Sequence, residues 1–227
     1  MLYQERTMYQ CINNLLDNGG EITKEDVLQA VEAEGFIIED TPQNRERMLE
    51  VVYTLNNRYD KGKVGKSVEL LVRCLIIPRS DKLEVGNQGE VDIRFKLAER
   101  FLSVEVKTES GDISLTPIFN KEQWTVENLT KGQKSPYVLY SINGTLQELR
   151  LLPTERFLEI LSEYKTKRSP VWGMLNPMSK IGKPDKKGNY RVGLQVKPGN
   201  CMARRLWLWE ALQGEGITLR EILEMRG

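Results

Sequence analysis

Two segments that alternate polar and apolar residues, 90–96 and 101–108, are joined by only four residues. Successive side chains of a β-strand point to opposite faces, so each segment predicts a strand with one buried face. If the connection closes a simple hairpin, the last residue of the first strand pairs with the first residue of the second. Counting back from that pair places Asp92 directly opposite Glu105.

This register predicts a cation site. Side chains opposite each other on one face of a hairpin have Cβ atoms about 4.5–5.5 Å apart, so two carboxylates there repel unless a cation lies between them. Lys107 shares the face, because it lies two residues after Glu105. Two carboxylates, the backbone carbonyl of Val106 and a lysine form a hard-oxygen site of the kind that Mg²⁺ prefers. Such a metal activates water and stabilises charge on a phosphate, and Lys107 can orient that water.

The same alternation has a second interpretation that needs no metal. An amphipathic hairpin with one solvent-exposed face also carries Asp, Glu, Arg and Lys on that face. Arg94, diagonal to Glu105, would then neutralise its carboxylate. The hairpin alone leaves both interpretations open.

Other residue types narrow the chemistry. The 227 residues include no histidine, which excludes Ser-His-Asp and Cys-His triads, His-ligated zinc and HNH-type nuclease sites. Cys11, Cys74 and Cys201 form no C-x-x-C motif, so we expect no structural zinc and a reduced, cytoplasmic compartment. We expect Cys74 to be a core residue. No uncharged apolar stretch reaches membrane-spanning length, and no signal peptide is recognisable, so no membrane association is expected.

The remaining patterns predict a mixed α/β chain. Asn143-Gly144 predicts a tight hairpin turn between two of the strands, and the residue character changes at Pro78. The helices are predicted over 4–18, 23–34, 43–59, 64–77, 120–129, 154–166, 203–212 and 218–225. The additional strands are predicted over 113–115, 135–142, 146–152 and 190–196, with a loop over 80–89. Both ends of the chain show a helix, a Gly-containing turn and a Thr-capped helix, which fits either a helix-turn-helix or an ordinary helical hairpin.

Asp92 and the triplet Glu105-Val106-Lys107, in this order of elements, resemble the PD-(D/E)xK nuclease superfamily. The resemblance covers about 80 residues. Val91 stands where the family has its leading proline. The resemblance implies an α/β fold with a restriction-endonuclease-like αβββαβ core and helical additions at both ends. It divides the chain into a helical region (1–62), a nuclease core (63–166) and a basic region with closing helices (167–227).

The resemblance also implies a role for each residue. Asp92, Glu105 and the Val106 carbonyl would bind Mg²⁺, with Mn²⁺ as a possible substitute, and Lys107 would act on the attacking water. Glu69, on the preceding helix, matches an extra acidic residue that some members use for the metal or the water. A second interpretation makes Glu69 an i,i+4 ion-pair partner of Arg73 at a solvent edge.

The formal net charge of +1 hides a segregated distribution. Residues 1–60 carry 5 Lys and Arg against 12 Asp and Glu, whereas residues 165–205 carry 11 Lys and Arg against one Asp. The basic stretch predicts either a surface that binds nucleic-acid phosphates or a solvated loop. The candidate DNA-binding residues are Lys180, Lys183, Lys186, Lys187, Arg191, Arg204 and Arg205. Tryptophans such as Trp209 are candidates for stacking on bases.

These features favour a Mg²⁺-dependent endodeoxyribonuclease that acts on double-stranded DNA, and a type II restriction endonuclease best fits the size. Such enzymes are commonly homodimers, since two strands need two sites. A repair, junction-resolving or phage nuclease of the same fold is the nearest alternative. Two alternatives from other classes are a non-catalytic DNA-binding protein and an interaction module that uses the acidic N-terminal region.

Overall fold

A computed structural model describes residues 20–57, 63–76, 91–108, 135–141, 145–163, 175–177, 194–196 and 202–226. These residues form a mixed α/β fold, which confirms the predicted class. The helices are α1 (Lys24–Ala33), α2 (Pro42–Asn56), α3 (Lys63–Ile76), α4 (Thr154–Glu163), α5 (Met202–Leu212) and α6 (Leu219–Glu224). The strands are β1 (Ile93–Leu97), β2 (Arg100–Thr108), β3 (Tyr137–Ser141), β4 (Arg150–Pro153), β5 (Leu175–Pro177), β6 (Leu194–Val196) and β7 (Ile217–Thr218).

Helix α1 begins at the capping box that its sequence predicts. The Thr23 hydroxyl accepts a hydrogen bond from the Asp26 amide at 3.2 Å, and the Asp26 carboxylate accepts one from the Thr23 amide at 2.8 Å. Helix α2 begins similarly, with Thr41 as its N-cap and Pro42 in its first turn, where proline needs no hydrogen-bond partner. Local capping therefore determines where both helices start.

Five strands form one sheet in the order β1-β2-β3-β4-β7. Strands β2 and β3 are parallel, and the other neighbours are antiparallel. Strands β5 and β6 pair separately as a two-stranded antiparallel sheet. A parallel pair requires a crossover between its strands, and residues 109–134 connect β2 to β3. The predicted strand at 113–115 and the predicted helix at 120–129 fall in this connection, outside the described residues.

The five-stranded sheet has helices on both faces. Buried residues of β1 and β2, including Ile93, Phe95 and Val104, share one hydrophobic core with α1, α2, α3 and α6. On the other face α4 packs against β3 and β4, where the rings of Tyr140 and Phe157 lie 4.8 Å apart. On this second face α4 covers β3 and β4. The side chains of β1 and β2 on the same face are half-buried or exposed.

The predicted tight turn at Asn143-Gly144 is wrong in its length. Strands β3 and β4 do pair antiparallel, but Tyr140 lies opposite Arg150, so the connection spans residues 142–149. Leu146 and Leu149 are fully buried within that connection. A buried carboxylate, that of Glu34, accepts hydrogen bonds from the amides of Leu146 and Gln147. The two buried leucines and the hydrogen bonds to the Glu34 carboxylate anchor residues 146–149, in place of the strand pairing that a two-residue turn would require.

The C-terminal pair of helices is tied to the sheet by a strand. Between α5 and α6 the chain forms β7, in which Ile217 pairs with Leu151 of β4. Gly216 precedes β7 with φ +63°, and a Cβ atom there would lie 2.3 Å from the Leu151 carbonyl oxygen. The arrangement is therefore helix, strand and helix, which differs from both a helix-turn-helix and an ordinary helical hairpin.

The structure also bears on Cys74 and on membrane-spanning helices. Cys74 is a free cysteine in the core, as expected, and burial raises the pKa of its thiol to about 11. Within the described ranges, no helix has the length and apolar character to cross a membrane. The predicted helix at 4–18 and the loop at 80–89 lie outside the described residues, and the division into three regions stays a prediction.

Candidate active site

The hairpin has the predicted register, with Lys96 opposite Phe101, and the pairing continues to Ile93 opposite Val104. The ladder ends there, and Asp92, one residue before β1, lies in a bend that is not paired with β2. Asp92 adjoins Ile93 and Glu105 adjoins Val104, so both carboxylates belong to the end of the hairpin that is farthest from its turn.

Alternation of burial shows which face these residues occupy. Val91, Ile93, Val104 and Val106 are buried, whereas Asp92, Glu105 and Lys107 are partly exposed. The side chains of Glu105 and Lys107 therefore lie on the sheet face that α4 covers over β3 and β4. The Glu105 side chain keeps 30% of its surface exposed and that of Lys107 keeps 19%. The site is sheltered but open enough for a ligand to approach.

Asp92 joins β1, β2 and α3. One oxygen of its carboxylate, Oδ2, accepts a hydrogen bond from the Val106 amide at 2.9 Å. Its backbone carbonyl accepts a bond from Nε of Arg73 at 3.1 Å. In a regular strand the N–H and C=O groups of one residue point to the same neighbour, so the Val106 carbonyl faces the Asp92 side as well.

Glu105 has a cationic partner on its own strand. Nζ of Lys107 lies 2.6 Å from Oε1 of Glu105. Arg94, the cation expected in the metal-free interpretation, is exposed, and among the described residues it forms no ion pair with Glu105. Lys107 therefore balances the Glu105 charge at the position where the sequence predicts a catalytic lysine.

Glu69 forms the ion pair with Arg73 that one of its two interpretations predicts, and its role toward a metal or water stays a prediction. Its carboxylate pairs with Arg73 at 2.6 Å, as the i,i+4 spacing predicts, and with Lys66 at 3.0 Å. The predicted solvent edge is wrong, because the Glu69 side chain is only 13% exposed where α3 packs on β1 and β2. Burial raises the pKa of the Glu69 carboxyl, the charge of Asp92 raises it further, and Arg73 and Lys66 oppose both effects.

Arg73 is the residue that sequence reasoning undervalued. The sequence suggested it only as a partner of Glu69, but its guanidinium also bonds the Asp92 carbonyl, 19 positions along the chain. An arginine within the apolar run of α3 is the signal that could have found it, because a charge in such a position needs partners. Arg73 thus connects the Glu69 carboxylate to the backbone of Asp92.

The donor set is small but fits a hard divalent cation. Within the described ranges, no group of three or more Asp, Glu, Cys or His side chains could hold a metal. Mg²⁺ needs fewer, since it usually binds one or two carboxylates and completes its octahedron with waters and phosphate oxygens. Asp92, just before β1, and Glu105 of β2 would supply two carboxylates, and the Val106 amide already contacts one of them. Glu69 is already paired with two cations, Arg73 and Lys66.

The predicted DNA-binding residues fall partly inside and partly outside the described residues. Lys180, Lys183, Lys186, Lys187 and Arg191 lie outside the described residues. Arg204 and Arg205 are in the first turn of α5. Trp209, on the same helix, is 40% exposed and lines a cleft of about 180 Å³ together with Arg150 and Gln213. This cleft lies at β4, two strands away from the carboxylate pair.

Comparison with protein-family models, with curated proteins and with solved structures finds no match for this chain. The assignment of function therefore depends on the site itself.

Proposed function

We propose that this chain is a divalent-metal-dependent endodeoxyribonuclease of the PD-(D/E)xK type that hydrolyses phosphodiester bonds of double-stranded DNA. The observation that carries the proposal is the bond of the Asp92 carboxylate to the backbone of Val106, between Glu105 and Lys107, whose paired side chains share one open face. The surrounding topology supports it. A helix bearing Glu69 precedes the hairpin, and β3 is parallel to β2, which agrees with part of the αβββαβ order.

In this proposal, Asp92, Glu105 and the Val106 carbonyl hold Mg²⁺ or Mn²⁺. The bound metal supplies Lewis acidity and charge for the phosphate. Lys107 orients the attacking water through the ammonium that now contacts Glu105, and it offsets negative charge on the phosphate. Glu69 and Arg73 are positioning residues in this proposal, because Arg73 bonds the Asp92 carbonyl and Glu69 holds Arg73.

The size of the chain suits one biological setting in particular. We propose a type II restriction endonuclease that acts as a homodimer in the cytoplasm. A repair, junction-resolving or phage nuclease of the same fold would use the same residues on a different DNA structure. Cleavage of a plasmid, a branched junction and a nicked duplex by one preparation would separate these roles.

Plasmid cleavage tests the proposal. The wild type should cut supercoiled DNA with Mg²⁺ and not with EDTA. Asp92→Asn, Glu105→Gln and Lys107→Ala should each reduce the rate by about 10²–10³-fold, because each removes a group that stabilises developing charge or its metal. Glu99→Gln is the matched control. The Glu99 side chain lies in the hairpin turn, away from the proposed site, and is 94% exposed, so this variant should retain activity. Cleavage that survives the first three substitutions would refute the site.

One observation favours a non-catalytic DNA-binding protein as the second candidate. The charges of Glu105 and Glu69 are already balanced by Lys107, Arg73 and Lys66, so the site has no unpaired carboxylate except Asp92, which accepts a backbone amide. Such a network can also be purely structural. DNA binding without any metal-dependent cleavage would favour this candidate.

A further inference from the structure

We propose that the outer face of the β1–β2 hairpin is a binding track for the phosphate backbone of a nucleic-acid strand. Two successive cross-strand pairs of the hairpin share the face that carries Glu105 and Lys107. Beyond Asp92 and Glu105 come Arg94 opposite Ser103 and then Lys96 opposite Phe101. The track therefore starts at the carboxylates and runs toward the hairpin turn.

The charges along this face suit a polyanion. Arg94 and Lys96 are both exposed and lie two residues apart on β1. Two residues of a strand span about 7 Å. One strand of DNA carries a phosphate for about every 3.4 Å of helix axis, so the two cations can each contact a different phosphate. Both lie on the side of the sheet where the proposed site would meet its substrate.

The Lys96 side chain is available for such a contact. It pairs with Glu99 at 3.3 Å, but 45% of the Lys96 side chain and 94% of the Glu99 side chain are exposed. Exposed ion pairs of this kind contribute little to stability, so a phosphate can take the place of Glu99.

Phe101 adds an aromatic surface beside Lys96. Phe101 is on the outer face of the hairpin, and its ring is 76% exposed. The apolar side chains on the other face of the hairpin are buried in the core. Nucleic-acid-binding proteins commonly combine cations that follow the backbone with aromatic rings on which bases stack. Phe101 thus gives the track a way to contact bases as well as phosphates.

The hairpin also provides its own control. Arg100 is exposed and pairs with Leu97 next to the turn, but alternation directs it to the opposite face from Phe101. Cations on the edge strand β1 also discourage edge-to-edge association of sheets. A comparison of Arg94 and Lys96 with Arg100 separates binding of a nucleic-acid strand on the outer face from a general effect of positive charge.

Salt-dependent binding in EDTA tests the proposal without any cleavage. The fluorescence anisotropy of labelled duplex and single-stranded oligonucleotides gives the slope of log K against log salt. Arg94→Gln and Lys96→Gln should each lower the magnitude of that slope by about 0.9 on duplex or about 0.7 on a single strand. Arg100→Gln should leave it unchanged. Equal slopes for all three variants, or a wild type that does not bind either oligonucleotide, would overturn the proposal.

A second arm tests the contact to bases. Phe101→Ala should weaken binding of the single strand by roughly 5- to 150-fold, the equivalent of one lost stacking contact. The same variant should bind inorganic polyphosphate, which has no bases, as the wild type does. Equal weakening on both polyanions, or weakening on neither, would overturn the role of Phe101. The thermal midpoints of all variants should match that of the wild type, because the replaced side chains are exposed.

This inference depends on the proposed function only for the position of the track beside the carboxylates. A wild type that binds with the expected slopes but does not cleave would overturn the nuclease proposal alone. A wild type that cleaves while Arg94→Gln and Lys96→Gln bind unchanged would overturn the track alone.

Discussion

The Glu69 carboxyl shows how one residue responds to its surroundings. Burial disfavours its charged form and Asp92 adds repulsion, so its folded-state pKa lies above the ordinary 4.5. The folded protein therefore holds the Glu69 proton more tightly than the unfolded chain does. The contribution of Glu69 to stability is greatest below pH 4.5 and is lost as pH rises through the folded-state pKa.

A comparison of the wild type with Glu69→Gln isolates the contribution of this carboxyl to stability. We expect the free energy of unfolding of the wild type minus that of Glu69→Gln to fall as pH rises above 4.5 in EDTA. Urea titrations between about pH 4 and about pH 7 measure it. A difference that rises with pH would mean that the ion pairs with Arg73 and Lys66 outweigh burial.

A second residue carries an unused polar group. The hydroxyl of Tyr140 is buried and finds no hydrogen-bond partner among the described residues, and burial also raises its pKa. Tyr140→Phe keeps the ring against Phe157 and removes the unpaired group. We expect the free energy of unfolding to increase by about 1 kcal/mol in urea denaturation, since an unsatisfied buried hydroxyl costs about that much or more. A loss of stability would instead reveal a partner for the hydroxyl.

Among the elements, the turn into β7 depends most on a single residue type. Gly216→Ala would force a Cβ to within 2.3 Å of a backbone oxygen, that of Leu151, at positive φ. We expect a destabilisation of more than about 2 kcal/mol with weakened docking of β7 on β4. Gly214→Ala is the matched control, because it has φ +81° but no atom within 4 Å of the added Cβ. It should cost only about 1 kcal/mol, and similar losses for both variants would contradict the steric argument.

Elements with strong local signals could be predicted from the sequence. Helix α1 follows its Thr23 capping box, and the β1–β2 hairpin has the register that its four-residue connection implies. Local hydrogen bonds and alternation decide both. The β3–β4 connection could not be predicted, because Glu34 binds the amide of Leu146 across 112 positions. A local turn signal carries no information about a partner so far away.

At the scale of the whole molecule, the helices and the sheet depend on one core. Ile22 near the beginning of the described chain and Ile222 near its end belong to the same hydrophobic cluster as Val104 of β2. A ligand that binds the hairpin carboxylates in the folded state alone should therefore stabilise the entire cooperative unit.

Metal linkage makes this measurable. A Mg²⁺ concentration ten times the dissociation constant should raise the free energy of unfolding by about 1.4 kcal/mol. Asp92→Asn should lose the increase, although its amide oxygen can still accept the Val106 hydrogen bond. Thermal or urea unfolding at constant ionic strength, with Glu99→Gln as the control, checks both expectations. An equal increase in Asp92→Asn would show that the metal binds elsewhere.

The arrangement of the candidate site has two origins. Alternation and a short connection are local properties of the sequence, and they suffice to set the register of β1 against β2 and to place Glu105 and Lys107 on one face. The contacts of Arg73 with Asp92 and the shelter of Glu69 arise only when α3 packs on the hairpin. Strand register depends on neighbouring residues, whereas the electrostatic surroundings of a carboxylate depend on which distant segments exclude water from it. For this reason the candidate residues could be proposed from the chain, but their partners and the upward shift of the Glu69 pKa became apparent only in the folded protein.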